Sequence, residues 1–304
     1  MNFASLDKKH NIVFDDSGQE ASLKFLRKKS TRTLKELVSA RGNKVAYAHY
    51  LWSHFDAKAS AEEFWSEQLS KLSWSTELEQ KINDVKTYLS KQDESKWLNE
   101  VLRYLPPEHF FKTTAYLNLG YDHIVFGEDI ALNLNSHQFN MDKRESVYYL
   151  IHELAHAGYV RYHPLPQLWD IKTNGELLKV AKFLTHLEGM GVLSALRLRI
   201  LEGGLLDNDY KTLLNSSEKS RRINQYFMLF NKLKRDLNKK ISEPLAQFFD
   251  TMSGRKTRLW YITGCYMAQE IEKRQGNESL GKLVKQGSEE FFNTYLEFAD
   301  KLGN

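Results

Sequence analysis

Helix-start and helix-stop signals recur along most of this chain, and they constrain its fold more than any other feature. Ser60 and Thr76 are each followed three residues later by a glutamate, so that each pair can form a capping box. The two prolines at 106–107 end a third apolar-periodic segment, because proline cannot continue a helix. The 304 residues include only five prolines and 16 thinly spread glycines. The sequence therefore predicts a mainly α-helical chain.

One segment between the predicted helices has a different pattern. Residues 113–119 (TTAYLNL) and 130–134 (IALNL) are short, β-prone and partly alternating, and Gly120 and Gly127 punctuate the stretch between them. We predict a small antiparallel β-sheet here, which makes the fold class α+β with helix predominating. Helices are then predicted to the end of the chain, among them one over about 174–201 and one over about 218–241.

Composition argues against several classes of protein. The single cysteine, Cys265, excludes an internal disulfide and a thiolate metal cluster. Basic clusters at 27–32, 234–240 and 254–258 could contact phosphates, but no nucleic-acid motif accompanies them, and solvated helix faces are the simpler interpretation. The first residues do not resemble a signal peptide, and no apolar run reaches transmembrane length. We therefore expect a cytoplasmic protein without a nucleic-acid or membrane partner, and the oligomeric state stays open.

The stretch YYLIHELAHAGYVRYH, residues 148–163, is the strongest chemical signal in the sequence. His152 and His156 lie four residues apart, so on a helix their imidazoles face the same way and can bind one Zn²⁺. Glu153 would then project beside the metal, where its carboxylate can take a proton from a bound water. The residues around the pair are apolar, which places both histidines at the edge of a buried face. We predict a zinc site rather than two structural histidines.

His163 is not expected to complete this site. The metzincin pattern H-E-x-x-H-x-x-G-x-x-H requires a glycine and a third histidine in fixed register, but Gly158 comes one residue early and His163 one residue late. A slip of one residue rotates a side chain by about 100° on a helix. His163, which precedes Pro164, is therefore interpreted as a helix-end residue.

Two glutamates are candidates for the third zinc ligand. Glu176 follows His156 at a spacing near that of thermolysin, but together with Thr173 it forms a capping box. Glu188 lies in an apolar stripe of the predicted helix, where a carboxylate is costly unless it is paired or bound to a metal. The alternative for Glu188 is a salt bridge to an arginine such as Arg161 or Arg197. We favour Glu188 as the ligand and treat His186, two positions away, as an ordinary residue.

Three motifs in order resemble those of gluzincin-type zinc peptidases of the thermolysin-like superfamily. HELAH is followed by LEGMG at 187–191 and by WYITGCYMAQEIEKRQG at 260–276. The closest resemblance is to a group of uncharacterised zinc-dependent peptidases, in which a helix carrying E-G and then a helix of the form Y-x-x-G-Y-x-M-A-x-x-I-E follow H-E-x-x-H. Cys265 stands after the glycine, where that group often has an aromatic or small residue. The resemblance covers roughly residues 112–304.

The resemblance implies a zincin-like catalytic domain over 111–304, preceded by an N-terminal helical region over 1–110. It implies that His152, His156 and Glu188 bind zinc and that Glu153 is the general base. A tyrosine would donate a hydrogen bond to the developing oxyanion, with Tyr261 as first choice and Tyr266 as second. A strand before the metal helix, IALNLN at 130–135, would pair with an extended peptide substrate.

The sequence thus predicts a zinc metallopeptidase that acts on a peptide or protein substrate. The alternative is a non-enzymatic helical binding module with a structural zinc or no metal. A closed structural site needs four protein ligands, and no clearly placed fourth ligand is visible in the sequence. Hydrolysis of a non-peptide amide or ester is a third possibility.

Overall fold

The computed structural model describes residues 10–54, 57–241 and 244–302. By their contacts the residues group into two units, one formed by 1–99 with 110–161 and the other by 100–109 with 162–304. This grouping differs from the predicted division at residue 110, because a strand near the start of the chain pairs with a strand that follows residue 110. Among the described residues no helix is long and apolar enough to span a bilayer.

The first unit contains a four-stranded sheet and most of the N-terminal helices. The strands are β1 (Asn11–Asp15), β2 (Lys112–Asn118), β3 (Ile124–Phe126) and β4 (Asp129–Asn133). The helices are α1 (Ser17–Lys28), α2 (Thr31–Ser39), α3 (Arg41–Ser53), α4 (Ala61–Ser70), α5 (Thr76–Ser90), α6 (Glu94–Leu102), α7 (His137–Met141) and α8 (Arg144–Val160). The division between the units falls within α6.

The predicted small sheet is confirmed, but its main pairing is parallel rather than antiparallel. The strand order is β1-β2-β4-β3, and β2 pairs in parallel with both β1 and β4. Only β3 and β4 are antiparallel, joined by a tight turn in which Gly127 has φ 63°. Strand β1 was not predicted from the sequence. Because β3 lies between β2 and β4 along the chain, β4 runs in the same direction as β2. Parallel neighbours need such crossover connections.

Strand β4 is an interior strand, so the prediction that IALNLN offers an edge to a substrate was wrong. Its residues 130–133 pair with β2 on one side, and 129–131 pair with β3 on the other. Ile130, Ala131 and Leu132 are fully buried. A continuous buried apolar run is typical of a strand covered on both faces. The backbone of β4 up to residue 131 is therefore hydrogen-bonded within the sheet. The outer strands of the sheet are β1 and β3.

Helices on the sheet fix the position of the HELAH segment. Both α3 and α8 pack against β3 and β4, and α1 packs against β2. The core includes Tyr116, Ile124 and Ala131, against which Val45 from α3 is packed. Because α8 packs on β4, whose three central residues are fully buried, its inward side chains have little freedom to move.

In its described residues the second unit contains helices and connecting loops, and a single β-bridge joins Thr173 and Lys240. Its helices are α9 (Asn174–Glu202), α10 (Asn208–Leu214), α11 (Ser216–Lys234), α12 (Leu245–Ser253), α13 (Leu259–Gln275), α14 (Asn277–Gln286) and α15 (Ser288–Leu302). The prediction of a helix over about 174–201 is confirmed by α9, whereas α11 ends at Lys234, earlier than the predicted 241.

Two glycines bring α9 and α13 into backbone contact. A Cβ atom at Gly264 would lie 2.0 Å from the carbonyl oxygen of Thr185, and one at Gly189 would lie 2.3 Å from the carbonyl carbon of Gly264. These are the glycines of the motifs E-G and Y-x-x-G. This crossing is centred on Gly189, one residue after Glu188. The two motifs therefore have a structural reason, which holds whatever chemistry their neighbours perform.

Candidate metal centre

Helix α8 carries the predicted zinc-binding histidines. It begins at Arg144, whose backbone N–H donates to the Asp142 carboxylate at 3.0 Å, while the N–H of Glu145 donates to the Asp142 carbonyl at 3.0 Å. The N-cap residue is Lys143, which makes no side-chain capping bond, so Asp142 acts one residue before the cap. Nearly every residue of the helix is buried, with Tyr149 and His152 among the few that are partly exposed. Packing against neighbouring residues therefore orients most side chains of α8.

His152, Glu153 and His156 form one compact group of possible metal ligands. Each offers a nitrogen or carboxylate oxygen, and these atoms lie within 4.8 Å of one another. The imidazole centroids of His152 and His156 are 4.4 Å apart, with the rings nearly perpendicular at 83°. His156 and Glu153 are each only 4% exposed, whereas His152 is half-buried. Within the described ranges, this is the only cluster of three or more such residues that could hold a metal.

The donor set of this group fits zinc. Imidazole nitrogens are common zinc ligands, and a catalytic zinc site uses three protein ligands and leaves a position for water or substrate. A pair of imidazoles without thiolates does not suit the metals that prefer soft sulfur ligands. The half-exposed His152 also leaves the group open on one side. The residues of α8 can therefore hold zinc and present it to a substrate.

His123 is a neighbour of this group that the sequence did not indicate. Its ring lies 4.4 Å from that of Tyr149 and 4.7 Å from that of Phe139. Burial, and to a smaller extent the nearby His152, lower the pKa of His123 to about 3. The backbone N–H of Asn133 donates to its Nδ1 at 3.2 Å, so the hydrogen of the neutral ring lies on Nε2. His123 is a lone histidine just before a short strand, so only tertiary structure brings it near His152.

Glu188 lies on α9 in the second unit and is half-buried. Of the two arginines considered as its partners, Arg161 pairs with Glu128 at 2.9 Å and Arg197 pairs with Glu100, Nε to Oε2, at 2.9 Å. Glu188 is instead electrostatically coupled to Arg258, Asp209 and Tyr261. His152 and His156 belong to the first unit and Glu188 to the second, and the structure describes each unit by itself. The assignment of Glu188 as a zinc ligand therefore stays a prediction.

Glu176, the other candidate ligand, has the structural role expected of it. Its carboxylate accepts the backbone N–H groups of Lys172 at 2.8 Å and Thr173 at 2.9 Å, and its own N–H donates to the Thr173 hydroxyl. These bonds close the capping box at the start of α9. The backbone bonds from Lys172 and Thr173 lower the pKa of this exposed carboxyl. A glutamate held in this way is already committed to the helix start.

Arg258 connects the residues around Glu188 within the second unit. It precedes α13 with a left-handed backbone, φ 51° and ψ 36°, and its guanidinium binds both carboxylate oxygens of Asp209, the shortest bond being 2.6 Å. The same guanidinium lies 3.3 Å from the ring centroid of Tyr261. Burial raises the pKa of Tyr261, and the Glu188 carboxylate raises it further, so the phenol keeps its proton at neutral pH. A protonated phenol is a hydrogen-bond donor.

The other named histidines and Tyr266 lie in different surroundings. His186 is fully buried and stacks on Phe291 with 4.0 Å between centroids. The Nε2–H of His163 donates to the carbonyl of Val284 at 2.9 Å. Tyr266 lies 6.2 Å from the ring of Tyr295, centroid to centroid. His186 and His163 thus have packing roles, in line with their interpretation from the sequence as an ordinary residue and a helix-end residue.

Comparison with known proteins identifies a family. The model of one family, described as "Putative zinc dependent peptidase (DUF5700)", matches residues 24–304. No curated protein and no solved structure gives a significant match. Zinc is the metal named in the family description.

Proposed function

Because the chain belongs to the DUF5700 family of zinc-dependent peptidases, we propose that it is a peptide hydrolase whose catalytic zinc is held by His152 and His156. The single observation that carries the proposal is the convergence of the His152, Glu153 and His156 donor atoms within 4.8 Å on a buried helix. We further assign the enzyme to the gluzincin type of the thermolysin-like superfamily. This assignment rests on the order of the HELAH, E-G and Y-x-x-G motifs. The cytoplasmic location likewise remains a prediction from sequence.

Glu188 is proposed as the third ligand. Its support is local and chemical: it is a half-buried carboxylate on an apolar helix, whereas Glu176 is exposed and bound in a capping box. A carboxylate in such a setting is costly unless a cation neutralises it. In the same unit Arg258 is electrostatically coupled to Glu188 and also binds both oxygens of Asp209. Zinc bound by Glu188 would supply such a cation.

The residues of the chain would divide the hydrolytic work among them. When bound, zinc supplies a Lewis acid and lowers the pKa of a coordinated water. The Glu153 carboxylate accepts the proton of the attacking water and passes it to the amine that leaves. The Tyr261 phenol donates a hydrogen bond to the oxygen on which negative charge develops.

Substitution of Glu153 by Gln separates the enzyme from a binding module that only contains zinc. Glutamine keeps the size of the side chain but cannot accept the proton, so zinc content should stay near one per chain while hydrolysis falls by about 10²–10⁴-fold, the usual contribution of a general base. The measurements are zinc by elemental mass spectrometry and cleavage of a peptide library by mass spectrometry. Equal cleavage by the wild type and Glu153→Gln would contradict the proposal.

Zinc content also tests the ligand set. We expect His152→Ala and Glu188→Gln to lose most of the zinc, and Glu176→Gln to retain it as the matched control, because the latter alters only a helix cap. Retention of zinc by Glu188→Gln with loss by Glu176→Gln would exchange the two roles. A folded wild-type protein that binds no zinc when the metal is supplied would refute the site itself.

A further inference from the structure

A cavity in the second unit has an unusual concentration of basic groups. It has a volume of about 410 Å³ and lies between α10, the start of α11 and the loop 255–258. Its lining includes Lys211, Arg222, Arg255, Lys256 and Arg258. Asp209 and Glu218 are the two acidic residues in the lining, so the cavity carries a net charge of +3, while the whole chain carries +4.

The acidic residues of the lining leave several of these cations unneutralised. Asp209 is bound by Arg258, and Glu218 lies 2.8 Å from Arg221, a residue outside the lining, and 4.0 Å from Arg222 within it. Lys211, Arg255 and Lys256 form no ion pair with any residue in the described ranges. Several like charges around a concave site raise the local positive potential and attract anions.

The loop that carries Arg255 and Lys256 is held in place by its own hydrogen bonds. The Gly254 N–H donates to the Asp250 carbonyl at 2.8 Å, and the Thr257 and Arg258 N–H groups donate to the Gly254 carbonyl at 2.9 and 3.1 Å. A Cβ at Gly254 would lie 2.3 Å from the Asp250 oxygen, so this turn requires glycine. The basic cluster at 254–258 therefore lies in a hydrogen-bonded turn that forms one wall of the cavity, rather than on a helix face, and Arg255 and Lys256 are exposed as expected from the sequence.

Arg258 joins this cavity to the groups assigned to catalysis. It lines the cavity, lies against the Tyr261 ring and is electrostatically coupled to Glu188. An anion in the cavity would thus lie beside the residues that are proposed to bind zinc and the developing oxyanion. We propose that the cavity binds a carboxylate of the peptide substrate, either an acidic side chain or the C-terminus; this inference rests on the proposed function.

Charge-neutralising substitutions at the exposed wall test the cavity without touching the catalytic groups. The variant carries Arg255→Gln and Lys256→Gln, and its matched control carries Lys239→Gln and Lys240→Gln, an exposed basic pair outside the lining. Both changes remove two positive charges from exposed positions, so both variants should fold like the wild type.

Cleavage kinetics form the first arm of the experiment. Peptides are compared as Glu and Gln versions, each with a free or an amidated C-terminus, using a sequence that the zinc-loaded wild type cleaves. We expect kcat/KM for the carboxylate-bearing peptides to fall about three- to tenfold in Arg255→Gln/Lys256→Gln through KM, as for the loss of two exposed ionic partners. The Gln amide peptides and the control variant should be unaffected. Equal losses for all four peptides would overturn the proposal, and the responsive pair identifies the source of the carboxylate.

Equilibrium binding forms the second arm and separates failure of the cavity from failure of the proposed function. The probe is a fluorescein-labelled tetraglutamate peptide, measured by anisotropy with zinc-loaded Glu153→Gln, with inorganic phosphate as competitor. Binding that weakens in the added Arg255→Gln/Lys256→Gln background, but not with the control pair, supports the cavity even if no hydrolysis is found. Absence of binding, or binding insensitive to the substitutions, refutes it. Free glutamate serves as a second competitor. Displacement of the probe by inorganic phosphate at a lower concentration than by glutamate would likewise reject a peptide carboxylate as the ligand.

Discussion

The face of the Tyr261 ring lies against the guanidinium of Arg258, with 3.3 Å between the ring centroid and Cζ. Arg258 is fixed in turn by two carboxylate contacts with Asp209. Asp209 thus fixes the Arg258 guanidinium, and the guanidinium in turn fixes the Tyr261 ring. Such an arrangement orients the phenol hydroxyl without using the hydroxyl itself. A hydrogen-bond donor oriented in advance stabilises a developing charge without reorganisation.

Tyr261→Phe is the substitution that isolates this hydroxyl. The phenylalanine ring can keep the contact with Arg258, so the free energy of unfolding should change little. We expect kcat to fall by about 10²–10³-fold, as when one oxyanion donor is removed, with KM little changed. Tyr266→Phe is the control, because that tyrosine packs near Tyr295 and Lys219 instead. A large loss of kcat in Tyr266→Phe, with none in Tyr261→Phe, would reverse the assignment.

At the scale of helices and strands, elements whose stabilising interactions are local could be predicted from sequence. The capping boxes at Ser60 and Thr173 are present. The predicted cap at Thr76 was wrong by one residue, since Ser75 accepts the N–H of Leu78 and Thr76 begins the helix. Both residues are good N-caps, and the choice between them depends on packing of the buried face.

Thr173→Ala tests the cap of α9, the helix that carries Glu188. The substitution removes the hydroxyl that accepts the Glu176 N–H at 3.3 Å. We expect the free energy of unfolding to fall by about 1 kcal/mol, the usual effect of losing an N-cap. Denaturant titration measures the change, and zinc content should be the same as in the wild type. A loss of zinc would mean that the capping residues also take part in the metal site.

The crossing of α9 and α13 should tolerate no added side chain. Gly264→Ala would place a methyl group 2.0 Å from a backbone oxygen, and Gly189→Ala would place one 2.3 Å from a backbone carbon. Neither neighbour can rotate away, so the helices must separate. We expect each substitution to reduce the free energy of unfolding by about 3 kcal/mol, the upper part of the range for overpacking. Thermal and denaturant unfolding measure this, with the exposed Ser220→Ala as control. A change below 1 kcal/mol would mean that the helices are less tightly packed.

At the scale of the whole molecule, the sequence predicted the class of fold but not its connections. The parallel pairing of β1 with β2 joins residues about a hundred positions apart, and no local pattern reports such a contact. The interior position of β4 follows from β3, a three-residue strand too short for period-2 alternation to be recognised. The close approach of His152 and His156 could be predicted because one helical turn brings the two side chains together. His123 and the basic cavity could not, since each depends on tertiary packing.

Zinc should stabilise the folded protein because the unfolded chain does not hold the histidines of α8 in a common geometry. A ligand that binds only the folded state adds about 2.7 kcal/mol to the free energy of unfolding when its concentration is 100 times Kd. For a unit of about 150 residues, each kcal/mol raises Tm by about 2–4 °C. Stripping the metal with a chelator should therefore lower Tm by several degrees, and added zinc should restore it.

Variants show whether this stabilisation arises at the proposed site. His152→Ala should remove the response of Tm to zinc, because one imidazole cannot bind the ion as two can. Glu153→Gln should retain the response, since that residue is assigned to proton transfer rather than to metal binding. The comparison is made by differential scanning calorimetry at equal zinc concentrations. An undiminished response in His152→Ala would place the stabilising zinc elsewhere in the chain, and the HELAH helix would then lose its assignment as the metal centre.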